Sequence, residues 1–154
     1  MNERVLNSGM ETQYRLLLLL SLLPRDVYTS RRLSSMDFIC VYGQTFGLTE
    51  KNLHGNSWMK FTEYATRGWS IDEGLKNLVL RRWAQVTAGG AGYLYGITDV
   101  GLEAAAALET NYAREYRAAA EQVIEQYGRC SEKELDEMIC ELPMKLADLE
   151  VRDG

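Results

Sequence analysis

The sequence predicts a mainly α fold: a winged helix-turn-helix-like domain with a two-stranded wing and a C-terminal helical extension. Three observations carry that prediction. The run Leu16-Leu17-Leu18-Leu19-Leu20-Ser21-Leu22-Leu23 is apolar on almost every side of a helix. Between Ser70 and Gly101 a helical stripe feeds two short strands joined by a glycine-rich turn. Beyond them, helical periodicity continues nearly to the C-terminus.

The elements follow in chain order. A first helix covers residues 12–23 and is stopped by Pro24. Its leucines imply burial against several neighbours, or against a partner as well as the core. A second helix starts near Ser30, whose hydroxyl can cap free amides, with Leu33, Met36, Ile39 and Cys40 at helical spacing. Residues 43–56 read as a loop punctuated by Gly43, Gly47, Asn52, Gly55 and Asn56. Residues 58–64 fit a strand or a short helix equally well. Ser70 is expected to open the third helix, with Asp72 and Glu73 in a first turn that favours negative charge. Residues 84–87 and 93–97 are the strands of the wing, and Tyr93, Tyr95 and Ile97 share a face. Thr98 starts a helix that breaks at Thr110-Asn111 and resumes to Tyr127, with Gly128 as its stop. Ser131-x-x-Glu134 forms a capping box ahead of a last helix striped by Leu135, Met138, Ile139 and Leu142. The expected units are a winged-helix-like domain at residues 11–128 and an acidic helix and tail at 129–154.

With 154 residues, 46% hydrophobic and 25% charged, the chain is long enough to bury one core. The net charge of −5 is uneven: residues 131–154 hold eight acids against Lys133, Lys145 and Arg152, which leaves the first 130 residues neutral. Such a body has no excess positive charge with which to hold phosphates. The leucine run spans eight residues, whereas a membrane span needs about 20. Cys40, Cys130 and Cys140 form no CxxC pair, and residues 1–10 lack an apolar signal core, so a reducing cytoplasm is the expected home.

Whether the wing reads DNA is a question of charge. A DNA-binding version needs basic and polar groups at the start of the recognition helix and cations in the wing. Here that helix begins Ser70-Ile71-Asp72-Glu73-Gly74, the wing tip at residues 88–92 is uncharged, and Arg81 and Arg82 lie at the far end. Contact with DNA is therefore expected only indirectly or jointly with partners. The alternative is a winged-helix transcriptional regulator that dimerises through residues 99–127.

No catalytic or metal site emerges, and no cofactor or small-molecule substrate is expected. His54, the single histidine, has no nucleophile or carboxylate beside it in Leu53-His54-Gly55, so a loop-surface or loop-packing role is expected. Gly89-Gly90-Ala91-Gly92 lacks the Lys-Ser/Thr of a phosphate loop, and a tight hairpin accounts for it. Cys130 and Cys140 have no histidine or CxxC pattern to complete a zinc site. A stripe of Tyr112, Tyr116, Ala119, Val123 and Tyr127 offers aromatic area with polar tips, as at interfaces; it fits packing onto the body as well. With Arg114 and Arg117 facing away from that stripe, Tyr112, Arg114, Tyr116 and Arg117 are the candidate partner-binding residues.

Several segments in order carry a family resemblance. They are Tyr14-Arg15 with the leucine run, Leu53-His54-Gly55, Glu73-Gly74-Leu75 and Tyr95-x-x-Thr98-x-x-Gly101, then Asn111-Tyr112-Ala113-Arg114-Glu115-Tyr116-Arg117 and Tyr127-Gly128-x-x-Ser131-x-x-Glu134-Leu135. Together they resemble the small middle components of bacterial ABC-three-component systems, the group that includes the Lamassu defence operons. The resemblance covers about residues 14–139. It implies a non-enzymatic, kleisin-like or accessory winged-helix subunit. The implied partners are an SMC/Rad50-like ABC ATPase and an effector, often a nuclease, from the same operon, acting against phage or plasmids. It carries over no catalytic residue.

Overall fold

The computed structural model describes residues 9–54, 64–90 and 92–153, with side chains as far as Leu142. Helix α1 (Gly9–Leu22) is the axis of the molecule. Leu16, Leu17, Leu18, Leu19 and Leu20 are each at most 2% exposed, because helices pack around α1 on several sides. The core of this chain thus takes up the leucine face without a partner. At roughly 1.5–3 kcal/mol per fully buried leucine, this helix is a large part of the hydrophobic term.

Pro24 follows the end of α1 as expected, and the chain turns into β1 (Tyr28–Thr29), a two-residue strand that the sequence reading lacked. Thr29 then caps α2 (Ser30–Val41): its backbone is extended and its hydroxyl accepts from Arg32 N–H at 3.1 Å. The cap is therefore Thr29, and Ser30 is already helical. Residues 43–54 run as successive turns and bends, as the breakers predicted. The choice between strand and helix at 58–64 falls outside the described residues, apart from Tyr64, which is helical.

Helix α3 (Gly68–Leu80) starts before Ser70. Its N-cap is Arg67, in helical backbone and without a side-chain cap, so Asp72 and Glu73 lie beyond the first turn. The reason is tertiary, since the Arg67 side chain is drawn inward to a buried carboxylate. Gly74 lets α3 approach α1 closely; a Cβ there would sit 2.9 Å from Leu16 Cδ1.

Strands β2 (Ala84–Gly89) and β3 (Gly92–Ile97) form the expected hairpin, paired from Ala84↔Ile97 to Gly89↔Gly92. Gly92 has φ +117°, a region that non-glycine residues avoid. Because Tyr28 and Thr29 pair with Tyr95 and Leu94, the predicted two-stranded wing is part of a three-stranded antiparallel sheet of order β1-β3-β2. Two residues give no readable alternation, which is why β1 left no sequence signal.

Thr98 caps α4 (Asp99–Ala106) by accepting from Gly101 N–H at 3.0 Å, and Thr110 caps α5 (Asn111–Tyr127) by accepting from Ala113 N–H at 3.1 Å. The predicted break at Thr110-Asn111 is the boundary between these two helices. Gly128 ends α5, donating to Ile124 O at 2.8 Å. Ser131 and Glu134 form the reciprocal capping box of α6 (Glu132–Asp153), at 3.1 and 3.2 Å. Leu135 and Ile139 of α6 enter the core and α6 packs on α2. Among the described residues, no helix is long and apolar enough to cross a membrane.

Candidate partner-binding surface

The four residues singled out on α5 part company in the structure. Tyr116 is 0% exposed, and its hydroxyl donates to Asp37 Oδ1 at 2.6 Å. It cannot touch a partner in this fold; the stripe of Tyr116, Ala119 and Val123 is the buried face of α5. Arg117 is half-buried and donates to Ala105 O at 2.6 Å, tying α5 to α4 instead of standing free. Arg114 is exposed, with contacts to Glu109 O at 2.8 Å and Asn111 Oδ1 at 3.5 Å. Tyr112 is half-buried. Of the four, only Tyr116 is buried; Arg114 is exposed, and Tyr112 and Arg117 each keep part of their surface.

Beneath them lies a buried ionic cluster that sequence reading missed. Asp37 is 0% exposed on the inward face of α2. It accepts from Arg15 Nε at 3.1 Å, from Arg15 Nη2 at 3.3 Å, from Arg67 Nη2 and from the Tyr116 hydroxyl. Burial alone would raise its pKa, but Arg15 and Arg67 outweigh that and hold it at about 2. Burial, then the Asp37 charge, push the Cys40 thiol up, so it stays protonated. Tyr116 is raised well above the usual phenol range by burial and by Asp37. A carboxylate whose lone pairs are taken by four donor contacts is a structural tie rather than a proton acceptor. One signal for it existed: Leu33, Asp37 and Val41 are four apart, so an acid stands on an otherwise apolar helical face.

Of the surface and packing roles open to His54, the structure shows packing, with a partner from far along the chain. Its Nε2 lies 2.9 Å from the Tyr112 hydroxyl, and the two rings stack at 6.3 Å. Burial, helped by the charge of Arg15, lowers its pKa to about 3 and keeps the ring neutral. Next to this pair, Glu11, Tyr14, Leu18, Leu108 and Tyr112 line a cavity of about 400 Å³ at the junction of α1 and α5.

The wing side presents a different surface. Leu80 is 71% exposed and Tyr93 66%, so large apolar groups project where α3 and the hairpin adjoin, and Trp69, 75% exposed, projects from the start of α3. Lys76, Val79, Leu80, Val86, Tyr93 and Tyr95 line a shallow cavity of about 200 Å³. Arg81 lies over the Trp83 ring at 4.8 Å and stays exposed. Among the described residues, no three His, Cys, Asp or Glu side chains are placed to share a metal ion. Cys40, Cys130 and Cys140 are free thiols.

Fold and surface together define a small helical domain with an antiparallel sheet whose projecting groups are suited to contact. The family model of the ABC-three component (ABC-3C) system Middle Component 2 matches residues 5–147, and the chain belongs to that family. It is accordingly one component of a multi-component system, with an accessory role beside the others. No curated protein and no solved structure matches the chain.

Proposed function

We propose that this protein is a non-catalytic, kleisin-like accessory subunit of winged-helix form. It works in the cytoplasm, binding an SMC/Rad50-like ABC ATPase and linking it to an effector, a nuclease in many such systems, in Lamassu-type defence against phage or plasmids. The observation that carries the reading is the family match over residues 5–147. The surface supports it. Where a DNA-reading protein would present cations, α3 and the hairpin present Trp69, Leu80, Val86 and Tyr93, a composition suited to protein contact. The winged-helix description rests on the element order α1-β1-α2-α3-β2-β3 with its antiparallel hairpin. In this reading residues 11–128 form the winged-helix unit and residues 129–154 the acidic extension. Arg114 and Tyr112 are proposed partner contacts on α5, and DNA is met only jointly with partners.

Co-expression of the chain with the other components of its system, followed by affinity purification, tests the assignment. A complex containing all components is expected. If they fail to co-purify, the assignment is wrong. A tight, sequence-specific mobility shift by the isolated chain at physiological ionic strength would instead favour a transcriptional regulator.

A further inference from the structure

The sheet order β1-β3-β2 leaves one side of β2 without a neighbouring strand among the described residues. In an antiparallel hairpin, hydrogen-bonded and non-hydrogen-bonded pairs alternate. Thr98 N–H donates to Trp83 O at 3.1 Å, so Trp83 and Thr98 occupy a bonded position. Counting along the register, Gln85↔Gly96 and Thr87↔Leu94 are bonded pairs, while Val86↔Tyr95 and Ala88↔Tyr93 are not. The backbone N–H and C=O of Val86 and Ala88 therefore point away from β3, toward the open edge. Exposed edges are normally guarded by a charged residue, a proline or a bulge. The β2 sequence Ala-Gln-Val-Thr-Ala-Gly has neither charge nor proline, and its pairing with β3 runs without a bulge.

Beside that edge lies the cavity of about 200 Å³ between the hairpin and α3, with Val86 and Leu80 on its wall. Lys76 also lines it, and Arg81 and Arg82 immediately precede the strand. All three cations are exposed and, among the described residues, none forms an ion pair with an acid.

We infer that the open edge of β2 is a docking site for an extended segment of another component of the system, which adds as a fourth strand. The inference rests on the accessory-subunit reading above and specifies how a component is held. Free main-chain groups select an extended segment over a helix. Alternate side chains of the added strand fall on the Val86 face, where apolar ones enter the cavity beside Leu80. Carboxylates near the end of the strand that adjoins Ala84 meet Arg81 and Arg82, and one over the cavity meets Lys76. A second copy of this chain fits less well, because its own β2 brings no carboxylate to those cations.

The test uses the full chain, short overlapping synthetic peptides that tile the other components, and fluorescence anisotropy. A peptide with alternating apolar residues and flanking acids is expected to bind. Val86→Pro removes an outward N–H without touching the hairpin ladder and should weaken binding at least about tenfold. Leu80→Glu, which puts like charge against the peptide's acids and makes the apolar wall of the cavity polar, should do the same. Thr87→Lys, on the opposite face, should bind like the wild type. The inference is overturned if both Val86→Pro and Leu80→Glu bind normally, or if the bound peptide is helical by circular dichroism. It is also overturned if Val86→Pro merely converts a self-associated dimer to monomer, or if duplex DNA is what the face retains. Should the full-length components co-purify equally with wild type and both variants, the accessory role stands and the edge site falls. Should the wild type capture none, both fall.

Discussion

The Tyr116 hydroxyl donates to Asp37 Oδ1 at 2.6 Å, joining α5 to α2 where neither residue is exposed. Asp37 also holds Arg15 of α1 and Arg67 at the start of α3, so four helices converge on one carboxylate. Removing a buried partner leaves the rest desolvated and unpaired, which costs far more than the pair contributes net. Asp37→Asn should therefore destabilise the fold by about 3–5 kcal/mol, measured by urea unfolding. Tyr116→Phe, which removes one neutral donor, should cost about 1–3 kcal/mol. An Asp37→Asn protein as stable as wild type would show that the cluster is dispensable.

Because Tyr116 is core, Tyr116→Ala is expected to destabilise the domain by about 3–5 kcal/mol before it affects assembly. Arg114→Glu is the surface counterpart. Its thermal midpoint should stay within a few degrees of wild type while capture of the other components weakens. Unchanged capture would remove Arg114 from the contact surface.

His54 predicts a pH dependence. Its pKa is near 3 in the folded protein against an ordinary 6.5, with burial and the charges of Arg15 and Arg67 opposing Asp37. Between those values the unfolded chain binds a proton that the folded chain does not, so stability rises with pH across that window. Each unit of acidification from 6.5 toward 3 should cost up to about 1.4 kcal/mol. Asp37, lowered from 3.8 to about 2, adds a further loss only as pH falls below 3.8. Thermal melts of wild type and His54→Gln from pH 7 to pH 4 check this. The variant should show the shallower slope.

Gly101 is required by close approach. A Cβ there would stand 2.0 Å from Trp83 O, in the strand-to-helix return where Thr98 caps α4. Gly101→Ala should cost at least about 1–3 kcal/mol through displaced backbone. The same exchange at Gly90, where a Cβ meets nothing within 4 Å, should leave the melting temperature nearly unchanged.

The parts of this fold that were legible in the sequence are those whose cause lies within a few residues. Pro24 after α1, the hairpin around Gly89-Gly90-Ala91-Gly92, the Thr110 boundary and the Ser131/Glu134 box are all short-range bonds or backbone restrictions. Packing decided the remainder. Arg67, which sets where α3 begins, answers to a carboxylate 30 residues earlier, and Tyr116 to one 79 residues away. The pattern of α5 marked Tyr116 as amphipathic-face aromatic, equally fit for core or interface; only its meeting with Asp37 made it core. Likewise β1 exists because β3 passes beside Tyr28 and Thr29, not because two residues prefer extension. Sequence sets local geometry through short-range sterics and hydrogen bonds. Where a buried charge finds its counter-charge depends on which helices pack together, and only the assembled core fixes that.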